Sequence, residues 1–257
     1  MPTEVAVKKK IKAGEFVVGT MSLDFHVPGL PAMAAASGAE FLLLDMEHTG
    51  AGFETLKMLC AACRGLPIAP VIRIPVPKYE YVAQAFDIGA HGVMVPMVDT
   101  VEQAKLIAAA AHYPPYGRRG AAMGIAHDHY TGGDPVQKLA KARERNFVIA
   151  QIESPTGVAN SEAIAAVDGI DVLWVGHFDL SNFMGIPGQF SHPDFDAALT
   201  HVGKVSKAAG KAAGLMAADV AWTRRVRDLG YTVIAQGVDH AHYQNSLRKD
   251  LEAARAL

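Results

Sequence analysis

The feature that most constrains this chain is an eightfold recurrence of short, almost continuously apolar runs separated by helix-length segments. The runs are FVVGT (16–20), FLLLD (41–45), APVIR (69–73), GVMVP (92–96), FVIAQIE (147–153), DVLWVG (171–176), AGLMA (213–217) and YTVIAQ (231–236). Runs of this length, without polar alternation, suit parallel strands buried on both faces. Between them TVEQAKLIAAAAH (100–112), SEAIAAVD (161–168) and DVAWTRRVRDLG (219–230) read as helices, and Gly or Pro marks many junctions. Strands alternating with helices in this way predict an α/β fold, a closed (β/α)8 TIM barrel filling residues 1–257 as one domain. No GxGxxG follows the first strand, which speaks against a dinucleotide-binding sheet.

Residues 112–135 and 179–195 read as unusually long connections, of the kind that carry function. The final DHAHYQNSLRKDLEAARAL reads as a helix that docks on the barrel or on a neighbour.

Charge and cysteine usage narrow the partners. With 24 Lys and Arg against 26 Asp and Glu, the net charge is −2, and no basic excess exists to grip a nucleic acid. A small-molecule partner is expected. No apolar stretch approaches the roughly 20 residues that span a bilayer, and VKKKIKAGE lacks the apolar run of a signal peptide. A reduced, cytoplasmic setting is the expectation. Cys60 and Cys63 lie in the helix-like LKMLCAACRGL, where their spacing lines one face, so core packing is expected rather than redox chemistry.

In a barrel of this type the active site lies at the carboxyl ends of the strands. The second run ends in Asp45, followed by Glu47 and His48. The third ends in Arg73, and the fifth in Gln151 and Glu153. The sixth is followed by His177 and Asp179. One polar strand end would simply meet solvent; four predict a site. Glu153 and Asp179, from adjacent strands, form a hard-oxygen pair suited to Mg²⁺ or Mn²⁺. The same pair would also serve as ion partners of Arg73, or as the acid and base of a glycosidase. His48 is a candidate general base, with Asp45 three residues earlier a candidate to orient its ring. Arg73 suits a developing enolate or a carboxylate. No run ends in lysine, and Lys78 lies beyond Arg73 past two prolines, so metal chemistry is favoured over an imine. The ends GLMAADV and AQGVD lack the paired glycines of a phosphate-binding barrel.

Taken together, several blocks resemble the HpcH/HpaI aldolase and citrate lyase family. They are DMEH (45–48), the strand ending in Arg73, FDIGAHGVMVPMV (86–98), YPPYGRRG (113–120), QIES (151–154) and GHFDLSNFMGIPGQFSHP (176–193). The resemblance spans most of the chain and implies a class II pyruvate aldolase on a phosphoenolpyruvate/pyruvate-binding type of TIM barrel. It implies a pyruvate enolate stabilised by a divalent ion (Mg²⁺, Mn²⁺ or Co²⁺), with Glu153 and Asp179 as metal ligands. Gln151 matches a substrate contact, His48 the base and Arg73 the group that stabilises the enolate. The backbone from Gly176 through His177 and Phe178 to Asp179 matches the segment that receives the substrate carboxylate. Asp87 matches an acid that raises the basicity of the histidine, although the helical pattern places it near the far end of a helix. The resemblance also implies a homo-hexamer, a trimer of dimers, with exchanged C-terminal helices.

Two departures stand out: Thr49 where the family commonly has Gly, and His177 where it commonly has Pro. The stretch AAMGIAHDHY (121–130) also departs, and brings His127, Asp128 and His129. They are expected either to shape the aldehyde pocket or to form a solvated loop. The expected substrates are a 2-oxo acid and an aldehyde; succinic semialdehyde, tartronic semialdehyde and lactaldehyde are all compatible. Two other readings compete. One is a lyase of malyl- or citryl-CoA type, for which no basic nucleotide-binding cluster is visible. The other is a non-catalytic barrel that binds a 2-oxo acid, against which the intact set of Glu153, Asp179, Arg73 and His48 stands.

Overall fold

Burial follows the sequence pattern. Every residue of FLLLD, APVIR and FVIAQI is buried in the computed structural model, which describes residues 7–257; the first six residues of the expected domain lie outside it. The strands are β1 (Val17–Ser22), β2 (Phe41–Asp45), β3 (Ala69–Arg73), β4 (Gly92–Val95), β5 (Phe147–Ile152), β6 (Val172–Val175), β7 (Ala212–Ala217) and β8 (Val233–Val238). They form a closed barrel in chain order, all parallel, with β8 pairing back to β1. All eight expected strands are present.

Helix α1 (Val7–Lys12) precedes the barrel, and α2 (Leu30–Ala36), α3 (Phe53–Ala62), α4 (Tyr79–Asp87) and α5 (Val101–Ala111) follow the first four strands. Helix α6 (Pro135–Arg145) leads into β5, which is followed by α7 (Pro155–Ala159) and α8 (Ser161–Ala165). After β6 come α9 (His177–Phe183) and α10 (Pro193–Ala208), after β7 comes α11 (Val220–Asp228), and α12 (Asp239–Arg255) ends the chain.

The side-chain period of two divides the core into two clusters. Leu42, Leu44, Ile72, Val148, Ala150 and Val175 pack outward against the helices. Phe41, Leu43, Val71, Phe147, Ile149 and Trp174 fill the interior, with Val7 and Ile11 of α1 closing its amino-terminal end. Large and small residues alternate there: a Cβ on Gly92 would come within 2.5 Å of the Phe147 ring, and one on Gly214 within 2.3 Å of Trp174. The same parity carries Asp45, Arg73, Gln151 and Glu153 onto the interior face at the carboxyl ends.

Two expected loops are corrected. The start of 179–195 is helical, because α9 begins at His177 directly after β6. The 112–135 segment contains a 3-10 turn at Ala126–Asp128 and leads into α6. Since α5 runs back from the mouth and β5 starts at the opposite end, this segment lies at the far end of its own barrel. His127, Asp128 and His129 therefore do not shape that barrel's mouth. His127 is buried and hydrogen-bonds the Ala122 carbonyl through Nε2 at 2.7 Å. Asp128 accepts the Gly124 N–H and the Lys138 ammonium, each at 2.7 Å.

Candidate active site

The mouth is organised around Asp45, which is fully buried at the end of β2. Its register partner on β3 is Arg73, whose Nε donates to Asp45 Oδ1 at 2.6 Å. The carboxylate also accepts the N–H of Glu47 (3.2 Å) and of His48 (2.9 Å), which folds the chain into a tight turn. Thr49 fastens that turn: its hydroxyl donates to the Asp45 carbonyl at 2.9 Å and accepts the Ala51 N–H at 3.1 Å. Burial alone would raise the Asp45 carboxyl; the Arg73 bond and charge, with the two N–H donors, outweigh it and hold the group below its usual range. Asp45 thus holds the backbone of His48 and not its ring. The imidazole is left more than half exposed at the mouth, with Nε2 3.7 Å from Glu47 Oε2.

Glu153 is buried one residue beyond β5 and is bound on both oxygens: the Met97 N–H donates to Oε1 at 2.7 Å, and Gln151 Nε2 donates to Oε2. Met97 reaches it from a left-handed backbone conformation (φ 52°), which is costly for a non-glycine residue and marks a constrained site. Gly176, at the end of β6, leaves room for this pair: a Cβ there would come within 2.3 Å of Glu153 Oε2. Asp179 stands in the first turn of α9.

Burial pushes Glu153 up to about 7, and the charges of Glu47 and Asp179 add to the rise. Burial likewise pushes Glu47 up to about 7; Arg73 opposes this, while Asp45 and Asp179 reinforce it. Glu47, Glu153 and Asp179 therefore crowd negative charge into one place. Arg73 Nη1 lies 3.2 Å from Glu47 Oε2, inside ion-pair range but outside hydrogen-bond geometry, so that buried oxygen and Gln151 Oε1 have no hydrogen-bond partner. Crowded carboxylates and orphaned oxygens fit a divalent cation that keeps part of its water shell. Among the described residues, the one His, Cys, Asp and Glu group whose ligand atoms all lie within 4.8 Å of one another is elsewhere: Asp24, Asp239 and His240. Two carboxylates with waters need no such trio, and Asp239 is already saturated by backbone donors.

His177 begins α9, but its ring turns away from the carboxylates into an aromatic group, 4.9 Å from Phe178, 5.2 Å from Phe190 and 5.2 Å from Trp222. Burial holds its imidazole down at about 4, so it is neutral at pH 7. Its backbone, beside that of the exposed Phe178, starts α9 directly after the carboxyl end of β6. Asp87 is the last residue of α4, at the opposite end of its own barrel, ion-paired to the buried Arg119 at 2.5 Å. Sequence reasoning noted Glu47 without giving it a role and missed Met97 altogether.

The mouth of this closed barrel gathers three acidic side chains opposite an arginine, the arrangement of an enzyme active site. The sequence profile of the HpcH/HpaI aldolase/citrate lyase family matches residues 26–246, and the chain belongs to that family. It is 36% identical over 249 residues to a hydroxypyruvate/pyruvate aldolase of Cupriavidus necator, covering 97% of this chain and 92% of the relative. It is 35% identical to a 2-keto-3-deoxy-L-rhamnonate aldolase of Klebsiella pneumoniae, covering 95% and 91%. Its structure resembles the HpcH/HpaI aldolase of Desulfitobacterium hafniense with a TM-score of 0.92 at 29% identity, covering 98% and 97%. The chain is a carbon–carbon lyase, an aldolase that joins and parts a 2-oxo acid and an aldehyde.

Proposed function

We propose that the protein cleaves 4-hydroxy-2-oxo acids to pyruvate, or a related 2-oxo acid, and an aldehyde, and catalyses the reverse condensation. The observation that carries this reading is the convergence of Glu47, Glu153 and Asp179 opposite Arg73 at the mouth. Glu153 and Asp179 would hold a divalent ion (Mg²⁺, Mn²⁺ or Co²⁺), with Glu47 beside them. When bound, the ion supplies Lewis-acid polarisation to the 2-oxo acid.

The chain's own groups do the rest. The substrate carboxylate lies against the backbone of Gly176, His177 and Phe178 where α9 begins; the Gly176 N–H is held by the Ile152 carbonyl at 3.1 Å, and those of His177 and Phe178 lack intrahelical acceptors. Gln151, bound to Glu153, is placed to touch the 2-oxo acid. His48 takes the proton from the 4-hydroxyl; the C3–C4 bond breaks, C4 leaves as the aldehyde, and its electrons form the enolate. Arg73, fixed by Asp45, balances the enolate charge until C3 is protonated. Relatives named for hydroxypyruvate and pyruvate support one of these as the nucleophile.

An assembly of copies completes the reading. Tyr243, Leu247 and Leu251 recur every fourth residue on α12 and are exposed, which supports a homo-hexamer with exchanged C-terminal helices. Asp87 would meet a His48 only in such an assembly, from a neighbouring copy. Among the described residues no helix is long and apolar enough to cross a membrane, and a cytoplasmic setting is part of the proposal. The test is pyruvate release from a panel of 4-hydroxy-2-oxo acids before and after chelation by EDTA, with Mg²⁺ or Mn²⁺ then restored. Activity lost and regained supports the reading; activity that survives thorough metal removal refutes the roles of Glu153 and Asp179.

A further inference from the structure

One side of the mouth takes no part in the chemistry above: the loop between β1 and α2. Ser22, the last residue of β1, is the register partner of Leu44, which directly precedes Asp45. The loop therefore stands beside the turn that carries Glu47 and His48. Its backbone is tied to the far end of the sequence. Asp239, the first residue of α12, is buried, and its Oδ2 accepts the N–H of Leu23 (3.1 Å), Asp24 (3.0 Å) and Phe25 (2.7 Å) and the Ser22 hydroxyl (2.9 Å). Its Oδ1 accepts the N–H of Leu23 (3.2 Å) and of His240 (2.8 Å). A second tie runs in parallel, where the Phe25 ring meets Tyr243 of α12 edge-on at 5.9 Å.

The loop also contributes to a surface. Leu23, Met216 of β7 and Val238 of β8 all pack on the barrel-interior cluster while remaining only partly buried. They make an apolar wall at the mouth on the side of β7, β8 and β1. Glu153, Gln151 and Asp179 occupy the side of β5 and β6.

We propose that Asp239 is a positioning residue for the aldehyde half of the reaction. By fixing residues 22–25 it sets the apolar wall, with Leu23 at its centre, against which the carbon chain of the aldehyde packs. It touches neither the 2-oxo acid nor the groups that hold it. The inference rests on the aldol reading above, and predicts a preference for aldehydes with an apolar substituent.

The test separates the two halves of the reaction in the metal-loaded protein. Exchange of the pyruvate methyl protons with D₂O, followed by NMR, needs only the 2-oxo acid side. Addition of pyruvate to acetaldehyde, propanal and butanal needs both. In Asp239→Asn an amide NH₂ or a single carbonyl must face a ring of N–H donors, so the loop is released while side-chain size is kept. The expected result is an aldehyde KM raised about tenfold, most for butanal, with proton exchange within about twofold of the unmodified protein. Exchange and addition falling in parallel, or an unchanged aldehyde KM, would overturn the proposal. Should Asp239→Asn fail to fold, Ser22→Ala decides: a smaller rise in aldehyde KM with exchange intact supports it, and no rise overturns it. An unmodified protein that neither exchanges pyruvate protons nor forms adduct with any metal instead sinks the aldol reading, and this inference with it.

Discussion

Arg73 and Asp45 face each other across the β2–β3 ladder as register partners, with Arg73 Nε donating to Asp45 Oδ1 at 2.6 Å in a buried setting. One nitrogen is thereby committed to orientation, while Nη1 reaches toward Glu47 and the mouth. Arg73→Ala removes the cation from the place where enolate charge develops, and leaves the Asp45 carboxylate buried and unpaired. Turnover is expected to fall about a hundredfold or more, and stability by about 3 kcal/mol. Mn²⁺ affinity, measured by calorimetry, should change far less, because Glu153 and Asp179 are untouched. Turnover equal to that of the unmodified protein refutes the assignment.

Gly176→Ala tests the cradle around Glu153. The added Cβ would meet Glu153 Oε2 at 2.3 Å and Gln151 Nε2 at 2.9 Å, so one of these must move. Mn²⁺ affinity is expected to drop about tenfold through displacement of this carboxylate and its amide partner. Gly29→Ala, where a Cβ meets nothing within 4 Å, is the control and should leave affinity unchanged. Equal affinities in the two variants would remove Glu153 from the proposed ligand set.

The barrel was legible because burial on both faces makes a strand continuously apolar, as in FLLLD and FVIAQI, and because a period of two then dictates which end residues face inward. Asp45, Arg73, Gln151 and Glu153 all follow from that rule. What was hidden depends on backbone direction rather than residue type. Asp45 is next in sequence to the turn that carries His48, yet its carboxylate is taken up by two N–H groups and an arginine, so its imagined bond to the imidazole ring does not form. Met97 adopts a left-handed conformation that sequence ordinarily signals with Gly or Asn, and VPMV has neither. His177 reads as a polar strand-end residue, but the rings that enclose it come from segments well downstream, at Phe190 and Trp222. Asp239 gathers donors from residues more than two hundred positions away, a relation that no local pattern records.

The two cysteines behave as the helical spacing predicts. Cys60 and Cys63 are free and buried, and burial raises both thiols, Cys63 to about 12. At neutral pH neither is a thiolate, so both should be unreactive toward a disulfide reagent until the protein unfolds. Replacing both by Ala is expected to keep turnover within about twofold while costing about 1 kcal/mol per site in packing. Rapid labelling of the folded protein, or loss of turnover without loss of stability, would reopen a chemical role for the pair.

His112 gives a pH dependence of defined sign. It is buried at the end of α5, with Nε2 3.4 Å from the Gly169 carbonyl. Burial lowers its basicity below the ordinary value of 6.5; the Lys8 ammonium nearby lowers it further, and Asp171 and the Gly169 carbonyl only partly restore it. Between the folded value and 6.5, the unfolded chain binds more protons than the folded one, so stability rises with pH across that window and is lost as pH falls through it. His127 and His177, also lowered by burial, act in the same direction. Glu47 and Glu153, raised to about 7, act in the opposite direction between 4.5 and 7, so the His112 part is read by comparing the Tm change from pH 7 to pH 5 in two proteins. Because glutamine does not titrate, His112→Gln should lose less Tm, or gain more, over that step than the unmodified protein. The same Tm change in both would show that His112 is protonated as readily in the folded chain as in the unfolded one.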